Sequence, residues 1–506
     1  MTVVIDGSGL DLSALVRVAR HGELVTLADA ANTRIQDGRR AFERRMAAGD
    51  VMYGVNTGIG ELSETAVHRA EMGQFQEDLV RSHAAGIGEM AREEWVRGAM
   101  LCRVNVHAHG RSGCRSVITT TLIEMLNRGV TPFVCSRGSV GACGDLAPMA
   151  QIALLLIGEG EAFHRGERLP GAVAMARAGI PIPGLDIRDG LATINGANFI
   201  AAISALQVYD MDRLLRQAEI SASMGVEALG ASVMPFHPLV HEVRGFPGSM
   251  LSAAAIRKCI EGGELQRGLR KTRLQDAYSL RSTPQIVGAA RDAVAYAARQ
   301  VQIEMNGVGD NPILFPEHDI CLTGANFQGT PVSLPMEMAG SAVTAVCVLA
   351  ERRMNRLLNP ALSGGLPAFL TARPGPCSGM MLSQYTAGAL VAEQRVLCTP
   401  AAIGSIPAAA DQEDFVSMGM TTALKNSQLL QNAFGVVGIE AMVVAQALDM
   451  RGAKYGTGVE AARACVRGRV PHLERDRELH RDHTRAEAMI RDAELLASVE
   501  NAVGSL

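Results

Sequence analysis

The chain has 506 residues, 48% of them apolar, 4% aromatic and 20% charged, with a formal net charge of −4. That is enough apolar material for a large core, and the absence of a basic field argues against nucleic acid as a main partner. Few aromatics beside 24 methionines and abundant alanine favour long helices packed through Ala, Leu, Val and Met over a β-sandwich.

Taken in order, the chain opens without the basic and apolar segments of a signal peptide. Asp11 is placed to cap a helix carrying Leu12, Leu15, Val16 and Ala19 on one side. A second helix is predicted from about Leu27 to Ala48, stopped by Gly49. Residues 51–60, Val-Met-Tyr-Gly-Val-Asn-Thr-Gly-Ile-Gly, form a Gly-rich loop around Tyr53. Its G-x-G lacks the rest of a dinucleotide fingerprint, whereas its glycine spacing suits a lid that brings a phenol to a site. Helices are predicted from near Glu71 through Ser82 and His83, from about Arg92 to His109, and from about Arg115 to Arg128.

After the glycine-rich turn at 138–148, an apolar helix runs to Gly158 and a small hairpin spans Ala162 to Pro170. Asn195-Gly196 leads into a helix reaching about Gly225, and another lies between Ser249 and Gly262. Pro284 suits the first turn of a helix running to about Met305, followed by a loop with a hairpin up to Gly329. The stretches Pro331–Leu358, Gly379–Leu397 and Leu424–Met450 are long, apolar and little interrupted, as central bundle helices are. A charged tail begins near Pro471. The expectation is a mainly α protein with an N-terminal domain at 1–200, a long-helix bundle at 201–470 and a helical tail at 471–506.

Ten scattered cysteines without a C-x-x-C pair read as reduced thiols of a cytoplasmic protein. The strongest apolar run, 152–157, is far short of the ~20 residues of a membrane helix, so no membrane is expected. His107-x-His109, His237-x-x-x-His241 and His480-x-x-His483 have spacings a metal could use. None has the Glu of H-E-x-x-H or a second half of ligands, so no metal is expected. No phosphate loop and no nucleophile elbow are present.

The stretch with most chemistry is Gly138-Ser139-Val140-Gly141-Ala142-Cys143-Gly144-Asp145-Leu146-Ala147-Pro148. Glycine lets the backbone turn tightly here. In such a turn the Gly144 nitrogen can attack the Ala142 carbonyl carbon. Ring closure with loss of water, and loss of the Cys143 sulfur as hydrogen sulfide, would leave an exocyclic C=C. That product is an electrophile, which ordinary side chains do not supply.

This segment resembles the signature of the histidine/phenylalanine/tyrosine ammonia-lyase family, whose methylidene-imidazolone (MIO) ring forms from Ala-Ser-Gly. The likeness recurs in order along the chain. Tyr53 and its glycines resemble the family's lid loop, and Ser82-His83 is the selectivity dipeptide of histidine ammonia-lyases, where the Phe and Tyr enzymes carry Phe-Leu and His-Leu. Asn195-Gly196 matches the ring-contacting Asn. Gln275, Tyr278 and Arg281 resemble the family's Q-D-x-Y-S-x-R, Asn326-Phe327 its N-F, and Gln412-Glu413-Asp414 its Q-E-D.

The resemblance implies an ammonia-lyase-like fold, a homotetramer whose sites are built from several subunits, an amino-acid substrate and no bound cofactor besides the self-made ring. It places Tyr53, Ala142, Cys143, Gly144, Asn195, Tyr278 and Glu413 in catalysis, and Ser82, His83, Gln275, Arg281, Phe327 and Gln412 in substrate binding. An electrophilic methylidene binds the amine and makes it a better leaving group. Tyr53 is the candidate base for the β-proton if nearby positive dipoles lower its pKa. Arg281 offers a fork for the carboxylate, and Asn195 and Tyr278 can donate hydrogen bonds to developing charge.

The departures are equally specific. Cys143 replaces Ser, Ala197 replaces Thr, and Gln151, Gln328 and Phe415 stand where histidine ammonia-lyases commonly carry His. The reading is a lyase that removes ammonia from L-histidine or a close imidazole or aromatic analogue. The alternatives are an aminomutase of the family, a ring-less lyase on an amine-modified substrate, and a catalytically silent scaffold.

Overall fold

Local signals set the first elements. Asp11 Oδ1 accepts from the Ala14 amide at 2.6 Å, starting the helix Leu12–His21, and Gly22 ends it at φ 65°. Gly49, at φ 86°, ends Asp29–Ala48 in the same left-handed way. Two four-residue strands, Thr2–Ile5 and Leu24–Leu27, flank the first helix and pair in parallel. They are too short to show a period in the sequence. The computed structural model describes residues 2–268 and 274–506, and with about 60% of residues in helices it is a mainly α protein.

The described residues divide into two compact units. One comprises Met1–Leu206, Ala298–Met336 and Pro400–Leu424; the other comprises Gln207–Ala297, Glu337–Thr399 and Lys425–Leu506. Stretches 298–336 and 400–424, far along the chain from 1–206, belong to the first unit. Four of the five dividing points fall inside the helices Asn198–Ala228, Thr283–Asn306, Thr330–Leu358 and Gly419–Arg451.

In the first unit the helix Glu93–Ala108 is buried from Trp95 onward and packs on Leu12–His21 and Ser116–Asn127. Its buried Arg103 is satisfied by Asp310, whose other oxygen takes Arg188 at 2.8 Å. Burying such charges is tolerable only because each is paired. Val130–Pro132, Glu161–His164 and Glu167–Pro170 form a three-stranded antiparallel sheet, which includes the expected hairpin.

The second unit holds the longer parts of the apolar helices. Its buried charges are paired as well: Arg353 Nη2 donates to Glu440 at 3.0 Å, and Arg291 to Glu219 at 2.8 Å. Thr330–Leu358 and Gly419–Arg451 are long and apolar enough to cross a membrane by length and composition. However, 61% and 89% of their most apolar windows are buried within the protein, as in core helices.

The histidine pairs have other partners. His241 Nδ1 meets Ser249 Oγ and its Nε2 the Pro235 carbonyl, while His107 Nδ1 meets Thr119 Oγ1. Among the described residues no three His, Cys, Asp or Glu side chains gather as a metal site requires. All ten cysteines are free.

Candidate active site

The site starts from the turn at Cys143. Gly141 and Gly144 pair across Ala142 and Cys143, which places these two residues at the corner. Cys143 has φ 51°, a corner conformation that usually asks for glycine. Gly144 follows at φ 82°, where a Cβ would lie 2.2 Å from the Gly196 carbonyl carbon, so no larger residue fits. The turn is then tied down. The Gly196 amide donates to the Cys143 carbonyl at 3.0 Å, the Asp145 amide to the Gly196 carbonyl at 2.9 Å, and the Met418 amide to the Val140 carbonyl at 2.9 Å.

Asp145 lies fully buried behind the turn. Its carboxylate accepts from the Ile200 amide at 2.8 Å and from Ser139 Oγ at 3.1 Å. Burial outweighs those hydrogen bonds and pushes the carboxyl up to about 6.

Cys143 Sγ donates to Glu413 Oε1 at 2.9 Å. Burial, and then this hydrogen bond to a carboxylate, push the thiol well above its usual range, so the sulfur stays protonated. Tyr53 stands on the other side, its phenol oxygen accepting from the Gly60 amide at 2.8 Å. The condition set on Tyr53 from the sequence, a phenol pKa lowered by positive dipoles, is not met. The Gly60 N–H is such a dipole, but burial outweighs it and, with the negative charge of Glu413 adding, takes the phenol up to about 12.

Two cavities meet at these side chains, sharing Tyr53, Gly60, Cys143 and Glu413. One, of about 480 Å³, is walled by His83, Asn195, Leu62, Leu146, Leu191 and Ala409–Ala410. The other, of about 430 Å³, is walled by Phe327, Gln412, Asn311 and Thr323. His83 closes the helix Met72–His83, and its Nδ1 bonds the Leu79 carbonyl at 2.8 Å. A carbonyl only accepts, so the proton sits on Nδ1 and the neutral ring keeps a lone pair on Nε2. Burial holds the His83 pKa below its usual value.

Asn195 ends the helix Asp189–Ile194. Its side-chain amide is buried, and neither its nitrogen nor its oxygen has a partner. An orphaned amide beside Cys143 is what a polar ring atom there would satisfy. The turn also fits an imidazolone, since no side chain separates the Ala142 carbonyl from the Gly144 nitrogen. A trigonal Cα at residue 143 would further relieve the crowding of its positive φ.

Not every expected residue arrives. Ser82 is exposed, donates to the Leu79 carbonyl at 3.0 Å and lines neither cavity. Gln275, Tyr278 and Arg281 belong to the second unit and line neither cavity. Arg281 Nε donates to the Asp276 carbonyl at 3.0 Å and its guanidinium lies 4.5 Å from the Tyr278 ring centre, while Tyr278 is 70% exposed. Two residues that replace histidine are held together, Gln328 Nε2 donating to the Phe415 carbonyl at 3.3 Å. The third, Gln151, accepts from the Cys135 amide at 2.8 Å.

The sequence reading missed Arg103, which reaches the Asn195 carbonyl and donates to Asn198 Oδ1 at 3.0 Å. An arginine amid apolar helix positions was the available signal. Ala409 and Ala410 carried none.

The profile of the aromatic amino acid lyases matches residues 10–468. A histidine ammonia-lyase of Stigmatella aurantiaca is 44% identical over 501 residues, which is 98% of each chain. The solved tyrosine aminomutase of Streptomyces globisporus matches with a TM-score of 0.96 at 34% identity over the whole of both chains. A histidine ammonia-lyase structure from Trypanosoma cruzi gives 0.92 at 31% identity, over 99% of this chain and 96% of that one.

Proposed function

Because the chain belongs to the aromatic amino acid lyase family, we propose that it removes ammonia from L-histidine or a close imidazole or aromatic amino acid, using a ring made from Ala142, Cys143 and Gly144. The observation that carries this reading is the meeting of Tyr53, Cys143 and Glu413 in one cleft with His83 and the unpartnered amide of Asn195. Once formed, the ring supplies an electrophilic carbon for the substrate amine.

The chain's own residues do the rest. In its phenolate form, which the raised pKa makes the minor one at neutral pH and more abundant as pH rises, Tyr53 takes the β-proton onto its oxygen while the C–H electron pair becomes the new C=C bond and the amine departs. Asn195 donates to the ring carbonyl. The Nε2 lone pair of His83 accepts an imidazole N–H, and Glu413 meets a protonated imidazole or the leaving amine. Phe327 and Gln412 border the substrate. Arg281 binds the carboxylate through its fork, with Gln275 and Tyr278 beside it. A homotetramer with shared sites, as the resemblance implies, would let this exposed segment serve the cleft of another copy. Ten free cysteines fit a reducing, cytoplasmic setting.

A second reading, an aminomutase that returns the amine to the β-carbon, is supported by the match to tyrosine aminomutase and by the loss of imidazoles at 151, 328 and 415. An absorbance screen of L-His, L-Phe and L-Tyr for urocanate, cinnamate and coumarate separates the readings. Urocanate is expected with the highest kcat/KM. Faster cinnamate or coumarate would overturn histidine as substrate, and recovery of a β-amino acid would favour the aminomutase.

A further inference from the structure

Glu413 reaches Cys143 from an unusual hairpin. Ala408 and Glu413 exchange N–H···O bonds at 2.9 and 3.1 Å, and the Gln412 amide donates to the Ala409 carbonyl at 3.1 Å. Within this loop Ala409, Ala410 and Asp411 all lie at positive φ, 48°, 51° and 68°. Tight turns of this handedness are normally made by Asn or Gly, because a Cβ crowds the backbone there. Here three successive residues with a Cβ adopt it.

The loop meets the Cys143 sulfur at one end and lies close to the Tyr53 loop, across the same cavity wall, at the other. At one end is Glu413, with its oxygen 2.9 Å from the Cys143 sulfur. At the other, a Cβ on Gly60 would meet the Ala409 methyl at 3.4 Å, and Gly60 is the residue whose amide holds the Tyr53 phenol. Ala409 and Ala410 also wall the cleft with His83, whereas Asp411 is exposed and lines neither cavity.

We propose that the left-handed turn Ala409-Ala410-Asp411 is a positioning device that fixes Glu413 against residue 143 and braces the Tyr53 loop. Its catalytic meaning rests on the lyase reading above. Glycine would make the turn without crowding but leave it a wide range of φ and ψ, whereas residues with a Cβ are confined to a small left-handed well. The crowding is retained at the site in return for a carboxylate that does not wander.

Asp411 allows a clean test because its side chain is away from the cleft. Asn adopts positive φ readily, whereas β-branched Val does not. In the full-length protein, Asp411→Asn is expected to keep kcat within about twofold of the parent. Asp411→Val should lower kcat about tenfold or more, the scale of a small displacement of a reacting group. KM and Tm should stay near parental values, and the pH profile should move toward that of Glu413→Gln. Hydrogen exchange at the Gln412 and Glu413 amides should quicken in Val but not in Asn.

Equal kcat in the Asn and Val variants, parental exchange in Val, or a Tm that falls in step with kcat would each overturn the proposal. If the parent turns over no amino acid, the lyase reading fails separately. The turn is then judged by exchange and, where the thiol is free, by the pH dependence of Cys143 alkylation. Val must shift that dependence as Glu413→Gln does; an unshifted profile sinks the proposal.

Discussion

Two groups of residues expected at one site are treated in opposite ways by the fold. Tyr53, His83, Cys143, Asn195 and Glu413 come from five separate stretches and converge on one cleft, held by strained turns and buried hydrogen bonds. Gln275, Tyr278 and Arg281 lie within seven residues of one another and line neither of its cavities, with Tyr278 exposed and Arg281 resting on its ring. Closeness in sequence therefore says little about who shares a site. The first group is completed by the chain's own folding. The second lies in a stretch where Gln275 and Tyr278 are exposed, Arg281 is half-buried and Asp276, Ser279 and Leu280 are buried.

The sharpest way to break the first group is at the ring precursor. Cys143→Ala should reduce turnover to background, because no methylidene can form from alanine, while Cys143→Ser should keep or raise it. Equal steady-state rates in Ala and parent would remove the ring from the reaction. Next comes the base. Tyr53→Phe is expected to lower kcat by about 10²–10⁴-fold, the usual range for a general base.

The charge beside Tyr53 gives the pH test its sign. Glu413 disfavours the phenolate and so raises the phenol pKa. Replacing it by Gln removes that charge, and the alkaline rise of kcat/KM should move to lower pH. A limb that moves up or stays fixed would show that Tyr53 is not the group titrating.

The second group is probed by Arg281→Lys, which keeps the charge and loses the fork. A loss of about 1.5–3 kcal/mol, or about 10–150-fold in kcat/KM, is expected. Parental kcat/KM would mean that the exposed segment is not the carboxylate anchor.

The smallest effect concerns stability. Burial, with the Asp145 charge adding, takes the Glu304 carboxyl up to about 7. The folded state therefore holds this proton more tightly than the unfolded chain. The resulting stabilisation is full below the unfolded pKa and is lost as pH rises through about 7. Glu304→Gln should raise Tm by a few degrees at pH 8 and by little at pH 5. A gain that is the same at both would contradict the assignment.

Much of this was legible beforehand for identifiable reasons. Asp11 and Gly49 announce helix ends because capping is local chemistry, and the helix at 419–451 shows in the apolar run from Leu424 to Met450. The Cys143 turn was legible because only Gly fits at 144, beneath the Gly196 carbonyl. What stayed hidden depends on packing. Nothing in Ala409-Ala410-Asp411 suggests positive φ, since alanine favours helix. The rise of the Tyr53 pKa comes from burial that no local pattern encodes, and the return of 298–336 and 400–424 to the first unit follows from how the long helices run.

The central claim, that Cys143 is consumed to make the ring, is tested most directly by an intact-mass spectrum of catalytically active protein with mapping of the peptide that holds Ala142, Cys143 and Gly144. The expected result is a chain lighter than its sequence by one hydrogen sulfide and one water, with no alkylatable thiol at 143. A full-mass chain with a free Cys143 thiol and undiminished turnover would contradict it.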